Sequence, residues 1–333
     1  MRLLSSVLDQ RSMPRLCGVV LILFATIVCS AQSTPLVDYH QHLLSPEVAK
    51  LIGASRTFSA SDLIAEMDRA GLRKAVVLSV AYQFGNPNRP PVQDEYAKVK
   101  AENDWTAEQV KQYPDRLVGV CGIDPLREYA VAEIERCAKN LYLRTGVKLH
   151  FGNSDVDLDN PSHVAMLRKV FQTADRHRMA IIVHMHANVT HHRPYGTRQA
   201  GIFLSQLLPE APHSVVQIAH LAGSGGWDDP AADEALSVFL HAMSQRDRRV
   251  AHLCFDISGV AGLGDAWEGN KNEIALRIRQ VGVRRILFGS DGAWTGFTPV
   301  KAIAAYHQLP LTKNEMSTID NNLAPYMKVT KEH

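Results

Sequence analysis

Cysteine is scarce in this 333-residue chain, and what there is forms no metal-binding spacing. Five cysteines occur with no Cys-x-x-Cys pair, which argues against a thiolate zinc site. Cys17 and Cys29 lie in an N-terminal segment taken up below, and Cys121 and Cys254 sit in strand-like apolar runs. Cys121, Cys137 and Cys254 therefore read as buried free thiols rather than a disulfide framework. Excess charge is lacking too. The formal net charge is +2, and Arg2, Arg11 and Arg15 set against Asp9 carry all of it. No basic cluster is left to neutralise phosphates, so nucleic acid is excluded as the main partner. No Gly-x-Gly-x-x-Gly follows a strand-like run, which leaves an open doubly wound sheet as the weaker of two architectures. No linker, low-complexity tract or short repeat divides the chain.

Long apolar runs are missing with one exception, Leu16 to Val28. It is short for a membrane span. Three arginines precede it, and Cys29-Ser30-Ala31 follows with small residues, the order of a secretory signal peptide. Residues 1–31 are thus expected to be removed near Ala31, leaving residues 32–333 secreted or periplasmic with no stable membrane association. A retained N-terminal anchor is the alternative. Lipid attachment at Cys29 is weaker, because Val28 is bulky. Met13 offers a second start, since Met13-Pro14-Arg15 and the apolar run make a complete short signal.

What is present is alternation. Strand-like runs at Leu36–His40, Lys74–Val80, Leu117–Ile123, Gly146–His150, Ala180–His184, Val215–His220, Val250–Ile257 and Arg285–Phe288 are separated by helical patterns. The first helix is expected to be capped by Ser61-Asp62 and to end at Ala70 before Gly71, and a later one to run from Tyr195 to Leu208. Eight strand–helix units in one domain predict a (β/α)8 TIM barrel, an α/β fold.

In such a barrel the active site forms at the C-terminal ends of the strands. Polar residues that end apolar strands are therefore the candidates: His40 and His42, Lys148, His184, His220 and Asp291. Residues two apart on a strand share a face, so His40 and His42 project side by side, with Asp38 expected one step deeper on that face. Paired neutral imidazoles can grip one metal ion.

These residues sit in motifs that resemble the amidohydrolase superfamily, in its amidohydrolase 2 branch of metal-dependent barrel hydrolases and decarboxylases, such as aminocarboxymuconate-semialdehyde decarboxylase. The resemblance runs through Asp38-Tyr39-His40-Gln41-His42, Asn103-Asp104-Trp105, Tyr113-Pro114-Asp115-Arg116-Leu117-Val118-Gly119 and Ile123-Asp124-Pro125. It continues through Gly146-Val147-Lys148-Leu149-His150, His220-Leu221-Ala222-Gly223, Phe255-Asp256-Ile257-Ser258-Gly259 and Leu287-Phe288-Gly289-Ser290-Asp291. It implies that His40, His42, His184 and Asp291 are metal ligands, with Asp291 and His220 catalytic. It also implies a divalent ion, commonly zinc, and possession of three imidazoles and a carboxylate suits Zn2+, Mn2+ or Fe2+. One ion is favoured, with Lys148 holding an anionic substrate group. Two ions would require a carbamylated Lys148 as a bridge and His220 as a further ligand. Dimers are common in the branch, so a homodimer is an open expectation.

Around this set, Arg89, Arg193 and Trp294 fall in loops over the barrel mouth and are expected to bind a small carboxylate-bearing substrate, the arginines through paired hydrogen bonds. Trp227, His150, His186 and the pair His191-His192 are further candidates there, and Asp256 either supports a ligand histidine or caps a helix. The expected reaction is hydrolysis of an amide, ester or lactone by metal-activated water. Non-oxidative decarboxylation of a small aromatic or unsaturated acid is the alternative, and a catalytically inert binding barrel is the third.

Overall fold

The computed structural model describes residues 34–187, 193–292 and 296–327. The expected signal peptide, His191, His192 and Trp294 lie outside the described residues. Eight strands alternate with helices: β1 (Val37–Gln41), β2 (Lys74–Leu78), β3 (Leu117–Gly122), β4 (Gly146–His150), β5 (Ala180–His184), β6 (Val216–Ile218), β7 (Leu253–Asp256) and β8 (Ile286–Leu287). They pair in parallel in sequence order. Two backbone bonds close the ring between its first and last strands, Tyr39 N–H to Phe288 O at 2.8 Å and Asp291 N–H to His40 O at 2.8 Å. The result is the TIM barrel that the alternation predicts.

Side-chain alternation sorts two cores. Val76, Leu78, Val120, Ile182, Cys254 and Leu287 fill the barrel interior with Val37 and Tyr39. The intervening residues, such as Val77, Val147, Val183 and Phe255, pack outward against the helices. On the inward face the upper positions turn polar, giving Lys148, His184, Gln217 and Asp256, all buried. β1 breaks the simple alternation. Its register with β2 shifts between Asp38 and Gln41. Tyr39 therefore joins the interior, while Asp38 reaches sideways to accept from Ser290 N–H (3.1 Å) and Ser290 Oγ (2.6 Å) at the end of β8. Asp38 also accepts from His40 N–H at 3.1 Å, which ties it directly to the first candidate histidine.

Local chemistry sets the helix ends. α1 (Pro46–Ile52) is capped by Ser45, whose Oγ accepts from Val48 N–H. α2 (Ala60–Ala70) starts from Ser59, not from Ser61-Asp62: Ser59 and Asp62 form a reciprocal capping box, and Gly71 closes the helix at φ 74°. The helices α3 (Glu95–Lys111), α4 (Ala130–Cys137) and α5 (Pro161–Arg176) follow β2, β3 and β4. After β5, α6 spans only Thr197–Ile202 before passing into a π turn and a 3-10 turn. Pro209 lacks the N–H that would continue an α-helix, so the expected run to Leu208 is broken into pieces. α7 (Pro230–Ser244) follows β6, α8 (Ala266–Gly269) and α9 (Lys271–Val281) follow β7, and helices at Pro299–Tyr306 and Lys313–Asp320 end the barrel.

Cys121 and Cys137 are joined by a disulfide, with Cα atoms 6.2 Å apart. This corrects the expectation of free thiols at both. Cys121 faces outward from β3 and Cys137 ends α4, and only the packing of that helix on that strand brings them together. Cys254 is free and buried.

Candidate metal centre

The candidate ligands are aimed by their outer nitrogens. His42 Nδ1 lies 2.7 Å from the Leu78 carbonyl, and His220 Nδ1 lies 2.7 Å from the Ser258 carbonyl. A carbonyl only accepts, so both rings carry the proton on Nδ1 and a lone pair on Nε2. His40 Nδ1 stands 3.1 Å from Asp256 Oδ2, which selects the same tautomer. Each imidazole therefore presents a basic Nε2, as metal-binding histidines do when a second group holds the other nitrogen. Burial lowers the pKa of all three, that of His40 to about 3, so they are neutral at physiological pH.

Ligand atoms of His40, His42 and Asp291 all lie within 4.8 Å of one another, with His42 Nε2 3.5 Å from Asp291 Oδ1. His184 flanks this group, its ring centroid 5.0 Å from that of His220. Its Nε2 is buried and has no hydrogen-bond partner among the described residues. Such an atom is costly unless something binds it. The ring is fixed by stacking on His150, with centroids 4.0 Å apart and planes 11° apart, because β4 and β5 place the two histidines in register. His150 itself accepts from Asn153 N–H through Nδ1 at 3.1 Å, so its Nε2 carries a proton and offers no lone pair. His40, His42 and Asp291, with His184 beside them, could hold a metal ion.

The backbone is bent to make this arrangement. His220, Leu221 and Ala222 have φ of 55°, 51° and 70°, and Asp291 has φ of 55°. Left-handed conformations cost free energy in residues other than glycine and collect at functional sites. The turn at 220 explains why β6 stops at Ile218 instead of running to His220. Gly289 permits the close meeting of β8, β1 and β7: a Cβ there would stand 2.8 Å from His40 Cβ and 2.9 Å from Ser258 Cβ.

Asp256 is the hub beneath the imidazoles. Besides His40 it accepts from Gln217 Nε2 (2.7 Å), His220 N–H (3.1 Å) and Ser258 N–H (3.2 Å). It holds His40, a candidate ligand, and caps none of the described helices. Lys148 is fully buried, and its Nζ lies 3.1 Å from His40 Nε2, beside the space an ion would fill. Burial pulls its pKa down to about 8, against the attraction of Asp256 and Asp291. Burial raises Asp291 to about 7 despite Lys148, with Asp256 and Asp38 adding to the rise.

Other candidates are engaged elsewhere. Arg193 makes a paired bond to Asp155 at 2.9 and 2.8 Å and stands 3.5 Å from Asp157, so its fork is already filled. Arg89 donates to Gln83 Oε1 and the Leu51 carbonyl. Trp227 is packed into the outer core. His186 bonds Asp229 Oδ2 at 2.6 Å and packs on Tyr195. Gln217, Ser258 and Ser290 belong to the site's support and were not singled out from sequence. Their one signal is position, since each is polar and lies on or just after an apolar strand.

Comparison with known proteins bears on the fold and the family. The amidohydrolase family model matches residues 37–317. No curated protein matches the sequence. Among solved structures, 5-carboxyvanillate decarboxylase from Sphingomonas paucimobilis is similar at 16% identity and TM-score 0.59, covering 87% of this chain and 97% of its own. A protein named as a 2-pyrone-4,6-dicarboxylic acid hydrolase from Acinetobacter baumannii is similar at 20% identity and TM-score 0.57, covering 86% and 97%. A dihydroxybenzoic acid decarboxylase from Polaromonas sp. JS666, with bound manganese, is similar at 17% identity and TM-score 0.60, covering 90% and 98%. At such identities the structural likeness speaks for the fold, and the family model, spanning most of the sequence, speaks for descent: the chain belongs to the amidohydrolase family.

Proposed function

We propose that this chain is a metal-dependent hydrolase that cleaves an amide, ester or lactone carbonyl in a small carboxylate-bearing substrate. The observation that carries this is the set of buried imidazoles, three of them (His40, His42 and His220) held through Nδ1, grouped with the partly buried carboxylate of Asp291. His40, His42, His184 and Asp291 would hold a single divalent ion, with zinc favoured and manganese or iron able to replace it. When bound, such an ion supplies Lewis acidity and lowers the pKa of a water to about 7.

The chain's own residues do the rest. Asp291, beside the attacking water, accepts its proton and gives it up again for the leaving group. His220 has its Nε2 lone pair available because Ser258 holds Nδ1–H, so it can relay that same proton from Asp291 to the leaving atom. Lys148 holds the substrate carboxylate, with Arg89 and Arg193 able to join it only by giving up bonds to Gln83, Leu51 and Asp155. Asp256 and Gln217 keep His40 fixed throughout.

Export accords with the buried Cys121–Cys137 disulfide, because disulfides persist in oxidising compartments. N-terminal sequencing of the cell-envelope or culture-fluid protein tests it, with a start near Gln32 expected and an intact Met1 or Met13 in the cytosol opposing it.

Decarboxylation is the second reading, favoured by the aromatic-acid decarboxylases among the structural relatives. Metal-reconstituted protein tested on lactones, esters and hydroxybenzoic acids separates the two. Hydrolysis without CO2 supports the proposal, and CO2 release with no hydrolysis replaces it.

A further inference from the structure

A cavity of about 240 Å³ lies between the start of α1, the turn after β2 and α3. None of its lining residues belongs to the metal centre. Phe84 and Trp105 form apolar walls, with Pro46 and Ala101 beside them. One wall is different. Glu102 is only 3% exposed, and its Oε2 accepts from Ser45 Oγ. Its Oε1 is buried and has no hydrogen-bond partner among the described residues. A buried carboxylate oxygen left this way is costly, and a native fold keeps one where something else binds it.

The chain supplies a cation nearby but spends it elsewhere. Lys98 is four residues from Glu102 on α3 and also lines the cavity, yet its Nζ is bound to Glu47 Oε2 at 2.8 Å. Among the described residues no cation is bonded to Glu102, so the cavity leaves its charge open to a ligand. An anion would meet two carboxylates there. An uncharged apolar molecule would leave Glu102 Oε1 as it is. A small ammonium ion on an apolar stem matches this lining, because its N–H groups pair with a carboxylate and aromatic faces attract a cation.

We propose that this cavity is a binding site for a small organic ammonium ion, an alkylamine or arylalkylamine, with its charged head on Glu102 Oε1 and its stem against Phe84 and Trp105. The site is separate from the metal centre. Ser45 links it to the barrel, since the same hydroxyl that donates to Glu102 also accepts from Val48 N–H to start α1.

Calorimetric titration of the metal-loaded protein tests the proposal with phenethylammonium, and with 2-phenylethanol and phenylacetate as neutral and anionic isosteres. The ammonium is expected to bind at least tenfold more tightly than either isostere. Glu102→Gln should weaken it at least tenfold while circular dichroism stays unchanged. His42→Ala should leave it intact, which rules out coordination of the amine at the metal. Should Glu102→Gln fail to fold, Trp105→Leu carries the test and should weaken binding severalfold. Absence of binding at millimolar ammonium, equal binding of 2-phenylethanol, full affinity in Glu102→Gln, or loss of binding in His42→Ala each overturns it.

Discussion

Asp256 holds His40 by the ring nitrogen that a metal does not need, with Asp256 Oδ2 3.1 Å from His40 Nδ1. Burial alone would raise the Asp256 pKa, but His40, His220 and the Ser258 hydroxyl outweigh it and hold the carboxyl well below its usual range. It therefore remains an anion and a pure acceptor. Asp256→Asn places an ambiguous amide there and frees His40 to turn. Metal affinity should fall about 10- to 100-fold with the fold retained. Competition against a chromophoric chelator measures this, and an unchanged dissociation constant would show that Asp256 does not orient the ligand.

Gly289→Ala should damage both stability and the site. Its Cβ would press on His40 Cβ at 2.8 Å and Ser258 Cβ at 2.9 Å, and neither belongs to a flexible side-chain end. Overpacking of this kind costs about 1–3 kcal/mol. Urea unfolding should give a lower midpoint, and metal binding should weaken in the folded protein. A variant as stable as the parent would mean that β1 and β8 can part without cost.

The disulfide gives a third test. Cys121 and Cys137 close a loop of 16 residues, for which the chain-entropy model gives about 3 kcal/mol. Replacing both by serine should lower the unfolding free energy by about that amount, and intact-mass analysis with and without reductant should differ by two hydrogens. Identical masses would restore the free thiols expected from sequence.

Glu102 makes stability depend on pH. Burial raises its pKa to about 7, the Ser45 hydroxyl opposes this, and Glu47 adds to it. A carboxyl whose folded pKa exceeds its unfolded value favours the fold while protonated. Its contribution is complete below the unfolded value, about 4.3, and is lost as pH rises through 7. Glu102→Gln should therefore gain stability over the parent above pH 7, by up to about 4 kcal/mol at 1.36 kcal/mol per pKa unit. Below pH 4 the two should converge. A difference that does not change with pH would place the effect outside Glu102 ionisation.

Legibility in the sequence varied with physical cause. β4 and β5 fall on the residues expected, Gly146–His150 and Ala180–His184, because an unbroken apolar run stops at a polar side chain. β6 was overrun because the chain leaves the strand through left-handed His220 and Leu221, and no glycine announces that turn. His40, His42, His184 and Asp291 were visible as polar ends of apolar strands. Gln217 and Ser258 were not, since a single amide inside a strand and a short hydroxyl after one resemble ordinary polar residues. Arg193 looked free in sequence, but Asp155, 38 residues away, meets it only in the folded chain. The Cys121–Cys137 bond was hidden for the same reason.

The most direct test of the central claim is metal content per chain, by elemental analysis of the mature protein purified without chelator or nickel affinity. About one divalent ion is expected, with His184→Ala losing it and His220→Ala keeping it while losing activity. A parent protein that holds no ion after reconstitution, or a fully active His220→Ala, contradicts the account. Two ions with occupancy that follows bicarbonate would overturn the single-ion centre in favour of a carbamylated Lys148.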